Sequence, residues 1–530
     1  ITDGLGVGDM PPKLPDTDAP VLARQDAQVR AGIARQRAYA FRAQGEALRH
    51  HSDVLLAIWD PDTEGKAGGT TETVAAALLE RLAVIAIILR GGETAEIHLL
   101  QSLEELRAVL VPPTASPSTD WKLALSIALK STLSFPDPIP DHASLHTGEQ
   151  TTYHPRNAFT IFRENNPLPP LWLGWCWRTF ESLTKKKSPK KETKKGAPVL
   201  PGTFQEFYDP VRRRAASTGM SGLYGDAHRG GIVMSYVLAA LAVLLAVTGA
   251  IAHSLHAPAL VMLCLAILEF VAIAVMWALS ECSRIEDWSG AWTDSRILAE
   301  ALRVMEFLGP MGVHTPLPRR PLSLRDVTGV NNQSRSWSLW YFRALIRMAP
   351  LRFKSPLGHN LNDLRNTVLE QACKKQISHH QKNEQKQHRL HLIVEQCSFQ
   401  IFVLVGACAV IHLIDVSLPK HIPFFWLLAL LVGVVGPALI SAMHGLASQI
   451  EVLRLQDRSE GMVTLLKERQ RLLEELELIS NPVVAGSLKR LDLAEPVWGL
   501  TTQSLVVATI MMEETAGWSM LCRDSDIHVG

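Results

Sequence analysis

The residues best placed to do chemistry lie in one short stretch near the start of the chain. An apolar run, Val54–Trp59, ends at Asp60 and gives way to PDTEGKAGGTTETV, where Gly68, Gly69, Thr70 and Glu72 fall together. Two adjacent glycines allow close backbone approach or a positive φ. Thr70 is a good N-cap for a helix that begins near Thr71. The free N–H groups at such a helix start suit a phosphate or another anion. Glu72, one turn in, would repel a phosphate set directly there and could instead hold a ribose hydroxyl. Taken alone, the same residues also describe an ordinary capped turn between a strand and a helix.

That turn needs a strand before it and a helix after it, and both are legible. Val54–Trp59 is a continuous apolar run with polar neighbours, as a buried parallel strand would be. TTETVAAALLERL follows as an amphipathic helix, and Ala83–Arg90 reads as a second apolar strand. Strand, glycine turn, helix and strand form a βαβ unit, right-handed by default. A helix rich in Ala, Arg and Gln is expected over residues 21–51. Two strands are few for an α/β sheet, so the expectation is part of a Rossmann-like domain. The chain opens on Ile1 with no signal peptide, which leads to the expectation of a missing upstream piece.

DVLLAIWD followed by GKAGGTTETV resembles the nucleotide-binding half of the SLOG superfamily over about residues 45–92. That group takes in LOG-type phosphoribohydrolases and the sensor domains of bacterial conflict systems and TRPM channels. The resemblance implies that Gly68, Gly69 and Thr70 cradle a nucleotide phosphate with Glu72 near the sugar. Asp60 counts among the implied ligand-binding residues. LOG enzymes carry a PGGxGTxxE pattern. Here no Pro precedes the glycines, the acid follows Thr70 by two residues rather than three, and no arginine falls at a matching catalytic position. Ligand sensing is therefore favoured over hydrolysis.

A second kind of segment dominates the rest of the chain. Beginning at Gly231, GIVMSYVLAALAVLLAVTGAIA and ALVMLCLAILEFVAIAVMWAL are apolar runs of 22 and 21 residues joined by HSLHAP. Each is about 30 Å as helix, enough to cross the hydrocarbon core of a bilayer. Cys397–Val416 and Ile422–Met443 repeat the arrangement, joined by SLPKH, so four spans in two hairpins are expected. Arg212, Arg213, Arg214, Arg229, Arg284 and Arg296 flank the first hairpin, and Lys374, Lys375, Lys382, Lys386, Arg389, Arg454 and Arg458 the second. The two hairpin loops together hold only Lys420. The positive-inside rule then places both termini in the cytoplasm of a cell whose inner, or plasma, membrane holds the protein. Within the spans Glu269, His412 and Asp415 are the polar residues expected to line a pathway or an oligomer contact, because ionisable groups at that depth are costly.

Composition bounds the remainder. At 530 residues the chain has room for two or three domains, and a net charge of +1 argues against a nucleic-acid partner. Seven scattered cysteines with no CxxC pair suit a reducing compartment. Residues 111–170 are Pro-rich and read as irregular. LWLGWCWRTF (Leu171–Phe180) suits either a membrane interface or a satellite core, and KKKSPKKETKK reads as a solvated or lipid-attracting linker. Leu298, Leu302, Met305 and Leu308 continue an apolar stripe from Trp288 and Trp292 to a stop at Gly309-Pro310. His380, Glu384, His388 and His391 fall near one face of a long polar helix. Such a face is more often solvated or paired with another helix than metal-binding, and no metal or cofactor is assigned.

QISHHQKN, the AEALR helix and EETAGW resemble SLATT-type membrane effector modules, which accompany SLOG sensors, over about residues 215–525. The resulting layout is a sensor at 1–110, a Pro-rich and basic linker at 111–214 and the first hairpin with its following helix at 215–315. A long helix, the second hairpin and a coiled-coil-like helix occupy 316–480, with a helical tail at 481–530. The fold class expected is a partial α/β Rossmann-like cytoplasmic domain joined to an α-helical four-span domain. The resemblances imply an oligomeric membrane effector of bacterial defence, gated by a nucleotide-derived ligand and acting as a channel or pore. The alternatives are a membrane-tethered nucleotide or nucleoside hydrolase and a scaffold with a degenerate sensor.

Overall fold

The computed structural model describes residues 21–60, 69–79, 82–89, 95–110, 120–133, 135, 139–140, 152–153, 155–164, 168–184, 203–216, 218–311, 313, 337–348, 361–417, 423–476 and 494–523. The chain is mostly helical and carries one small sheet domain. Helix α1 (Val21–His51) leads into strand β1 (Val54–Trp59), helix α2 (Thr70–Leu79), strand β2 (Ala83–Ile88), strand β3 (Glu96–Leu100) and helix α3 (Leu103–Leu110). The expected βαβ unit forms: β1 pairs with β2 in parallel, Val54 opposite Ala83 and Trp59 opposite Ile88. A third strand, which the sequence reading missed, joins β2 in antiparallel register to give the order β1-β2-β3. β2 is central, and five of its six residues are buried, which explains its unbroken apolar run. Val74, Ala77 and Leu78 of α2 and Leu106 of α3 close the core on Val84, Ala86 and Ile88.

The stretch expected to be irregular is partly ordered, which corrects the reading of residues 111–170. Helix α4 (Trp121–Leu133), a two-stranded ribbon of β4 (Ile139–Pro140) and β5 (Thr152–Tyr153), and helix α5 (Pro155–Glu164) lie within it. Pro155 opens α5, where a missing N–H costs nothing. Asp120 Oδ1 accepts from the N–H groups of Lys122 and Leu123, capping α4. The basic run Lys185–Lys195 lies outside the described residues.

Among the described residues four helices are long and apolar enough to cross a membrane. After α6 (Leu171–Thr184) and α7 (Thr203–Ala215) come the first hairpin helices, α8 (Met220–Ser254) and α9 (Ala259–Ile285). Helix α10 (Trp288–Leu308) follows a tight turn at Asp287, whose φ of 45° is relieved by an N-cap bond from Gly290 N–H to Oδ1 at 2.9 Å. Beyond α11 (Trp337–Met348) and α12 (Leu361–Val368), a π-helical turn at Leu369–Lys374 leads into α13 (Lys375–Ser417). The polar helix and the third span are thus one element of 43 residues, about 65 Å long, roughly half of it outside a 30 Å hydrocarbon core. α14 (Pro423–Gln449) returns, and α15 (Val452–Glu475) and α16 (Ala494–Arg523) complete the chain.

The spans stand in a row: α9 packs on α8, α8 on α14, and α14 on α13. Gly445 permits the central contact, since a Cβ there would meet the Tyr236 ring at 2.7 Å. Both hairpins project from the same side of a helical body built around α10. Most of α10 is buried, from Trp288 to Leu308, against α7, α8, α11 and α16. The expected apolar stripe of α10 is therefore the centre of the main core. α15, the helix of coiled-coil character, packs along the polar part of α13.

Candidate functional site

The glycine turn sits where α1 crosses the start of α2. Asp60 is half-buried at the end of β1, Gly69 opens α2, Thr70 is its exposed first residue and Glu72 is half-buried in its first turn. Gly68 lies outside the described residues. Thr73 reaches back, its Oγ1–H donating to the Gly69 carbonyl at 3.1 Å, so Thr73 restrains the turn from the helix side. Glu72 accepts a hydrogen bond from Arg42 Nε on α1 at 2.8 Å, both side chains being about one-third exposed. The sequence reading missed Arg42, which is 30 residues from Glu72 and signalled by no motif. Its guanidinium adds a cation beside a helix N-terminus whose amides already favour anions. Arg42, Glu72 and the backbone donors of α2 thus lie together at the turn.

Side-chain contacts among the described residues fasten the sheet domain to the helical body. Arg347 of α11 donates from Nε and Nη2 to both carboxylate oxygens of Asp53, at 2.5 and 2.6 Å. Trp340 Nε1 donates to the Leu133 carbonyl at 3.2 Å, with Phe135 against its ring at 4.7 Å. Tyr39 of α1 stacks on Trp498 at the start of α16, with 6.5 Å between ring centres. The far end of α16 meets the first hairpin. Trp518 contacts Trp292 edge-on at 4.7 Å, and Arg229 lies over Trp292 and Trp177 at 5.0 and 4.5 Å. Trp498 and Trp518 are twenty residues apart, about 30 Å along one helix.

Between these ends the helices share a half-buried charged layer. Arg296 and Arg303 of α10, His380 of α13, Arg458 of α15 and Glu514 of α16 face one another. Burial is the leading cause that holds both α10 guanidinium groups below their usual range and raises the Glu514 carboxyl. Burial first, then the nearby guanidiniums, push the His380 imidazole down to about 4. The polar face of α13 is thus turned inward at His380, while Glu384 and His391 are half-buried and His388 is exposed. Among the described residues no three His, Cys, Asp or Glu side chains gather as a metal-binding group.

The polar residues of the spans are not brought together. Glu269 shares the stripe of α9 that buries Ala272, Met276 and Leu279, and is itself half-buried. Asp415 is buried and His412 half-buried near the loop end of α13, at the opposite end of the row. One shared pathway through a single copy is not formed by these three. The Trp-rich α6 divides: Leu173 and Trp177 are buried against α8, whereas Trp172 and Trp175 are 48% and 65% exposed.

No protein-family model, curated protein or solved structure matches the chain.

Proposed function

We propose that the chain is a ligand-gated membrane effector of bacterial defence, carried in the inner membrane with both termini cytoplasmic. In this reading a SLOG-like, partial Rossmann domain binds a nucleotide-derived ligand at Gly69, Thr70 and Glu72, with Arg42 completing the site. The four-span domain, SLATT-like, oligomerises and opens as a channel or pore. The observation that carries the reading is the continuous path from the turn to the spans. Arg42 and Glu72 join α2 to α1, Tyr39 and Trp498 join α1 to α16, and Trp518 joins α16 to Trp292 and the hairpin feet. In an oligomeric ring Glu269 on α9, and His412 with Asp415 on α13, at opposite ends of the row, face neighbouring copies.

A ligand gates only through its differential affinity for two states, each factor of ten contributing about 1.4 kcal/mol. A phosphate at the start of α2 competes with Glu72 for Arg42 and so shifts α1, giving that difference a physical origin. The test is a screen of nucleotides by thermal shift on detergent-solubilised protein, followed by dye release from liposomes. Binding and release by the same nucleotide, both lost in Gly69→Val while the protein still assembles, supports the reading. Tight binding with silent liposomes refutes the channel.

The pairing of Arg42 with Glu72 also favours a second reading, a membrane-tethered nucleotide or nucleoside hydrolase, because an arginine beside the acid is the element its sequence pattern lacked. Turnover of the bound nucleotide, abolished in Glu72→Gln, selects that reading.

A further inference from the structure

The feet of the two hairpins enclose a partly open cavity of about 90 Å³, far from the glycine turn and at the membrane end of α16. Three indoles (Trp177, Trp292 and Trp518) line it together with Arg229, Lys386 and Gln387. Its volume suits a few waters or one tetrahedral oxyanion.

Its charges are unevenly matched. Arg229 donates from Nε to the Gly225 carbonyl at 2.9 Å and from Nη2 to Asp226 at 3.1 Å, using two of the five N–H groups of a guanidinium. Lys386 donates to Glu181 at 2.6 Å and lies 5.5 Å from the centre of the Trp177 ring. Arg178 approaches Asp226 to 4.0 Å. Three cations therefore share two carboxylates, Asp226 and Glu181, while Glu451 at the rim is paired with Arg454 at 2.9 Å. Among the described residues one positive charge is left over on this wall. Gln387 adds a buried amide oxygen that accepts no hydrogen bond among the described residues. A fork of guanidinium donors beside an ammonium suits phosphate, and an idle amide oxygen suits a hydroxyl donor.

Depth selects where that phosphate comes from. Arg229 stands two residues, about 3 Å, outside the apolar run that begins at Gly231. Gln449, also on the wall, stands six residues, about 9 Å, outside Met443, and Lys386 stands eleven residues, about 16 Å, outside Cys397. The headgroup layer of a bilayer, roughly 5–8 Å beyond the hydrocarbon on each side, falls within the depth the cavity spans. The backbone of α6 at Leu173 abuts Gly230, so the exposed Trp172 and Trp175 lie at this level too. Indoles with one wet edge belong at that boundary.

We infer that this cavity binds the headgroup of an anionic phospholipid bearing hydroxyls, its phosphate on Arg229 and Lys386 and a hydroxyl on Gln387. Bound there, the lipid joins α6, α8, α13 and α16 where both hairpins leave the helical body, so the membrane itself tightens the junction. The inference stands apart from the nucleotide site and survives the failure of that reading.

The test uses the full chain in neutral detergent and follows its thermal unfolding midpoint. Phosphatidylglycerol raises the midpoint; phosphatidylcholine, and inorganic phosphate at millimolar concentration, do not. Lys386→Gln weakens the phosphatidylglycerol response about fivefold, the contribution of one basic residue at an anionic surface. Gln387→Leu weakens it while leaving the response to phosphatidic acid, which lacks the hydroxyls, unchanged. Lys382→Gln, exposed on the same helix and outside the cavity, leaves the response intact. An equal gain from phosphatidylcholine, an equal gain from inorganic phosphate, or an equal loss in Lys382→Gln would each overturn the lipid assignment.

Discussion

Replacing Gly225 by alanine sets two effects of opposite sign against each other. A glycine inside a helix costs about 1 kcal/mol relative to alanine, so Gly→Ala in an open helical position is stabilising by that amount. At Gly225, however, a Cβ would lie 2.5 Å from Nε1, 2.7 Å from Cε2 and 2.8 Å from Cδ1 of Trp292. Comfortable carbon contacts begin near 3.5 Å, so the indole must retreat by about 1 Å. It has little room to do so. Trp518 bears on it edge-on at 4.7 Å, Arg229 lies over it at 5.0 Å and His228 flanks it at 5.8 Å. Overpacking of a filled site costs typically 1–3 kcal/mol, which outweighs the helical gain and leaves a net loss of about 1 kcal/mol. Gly461, in α15, is the internal control, because a Cβ there meets nothing within 4 Å. Gly461→Ala should stabilise by about 1 kcal/mol, so the two substitutions should differ by about 2 kcal/mol and in sign. Denaturant unfolding in neutral detergent, followed by helical circular dichroism, measures both. If Gly225→Ala stabilised the protein as much as Gly461→Ala, the close seating of Trp292 on α8 would be wrong.

Three further outcomes are expected. The His380 imidazole is pushed down to about 4 in the folded protein and titrates near 6.5 when unfolded, so the unfolded chain takes up the proton first as pH falls. Its contribution is intact above pH 6.5 and is lost progressively toward pH 4, a change on the order of 3 kcal/mol. The stability difference between the original protein and His380→Gln should therefore depend on pH across that window, and a constant difference would refute the buried neutral imidazole. Arg347→Ala removes the two bonds to Asp53 between side chains about 30% exposed, which limits the loss to about 1 kcal/mol. Amide exchange in β1 should quicken up to about fivefold while α13 keeps its protection; equal quickening in both would mean global destabilisation instead. Glu269→Ala should change ion flux in liposomes with expression intact, and unchanged flux for Ala, Gln and Leu alike would remove Glu269 from the mechanism.

What the chain declared by itself was whatever depends on local pattern. The four spans follow from apolar length alone, since about 30 Å of hydrocarbon demands some twenty residues however they pack. The β1–α2–β2 unit was legible for a similar reason, a buried parallel strand being apolar throughout and its turn being marked by adjacent glycines. β3 escaped notice because EIHLL alternates weakly and takes its place only by pairing with β2. The helices of the Pro-rich region escaped because composition averages over punctuation and element alike. The candidate site was half legible. Gly69, Thr70 and Glu72 announce a helix start, but Arg42 reaches Glu72 only because α1 folds back across α2. Nor could spacing along α13 say which imidazole is buried, since His380 is desolvated by α10 and α15 rather than by its own helix. The row order of the spans, with Glu269 and Asp415 near opposite ends, is likewise tertiary. An apolar helix is equally content against lipid or another helix, so hydropathy fixes that it spans the membrane, and only side-chain fit, as at Gly445 against Tyr236, decides its neighbour.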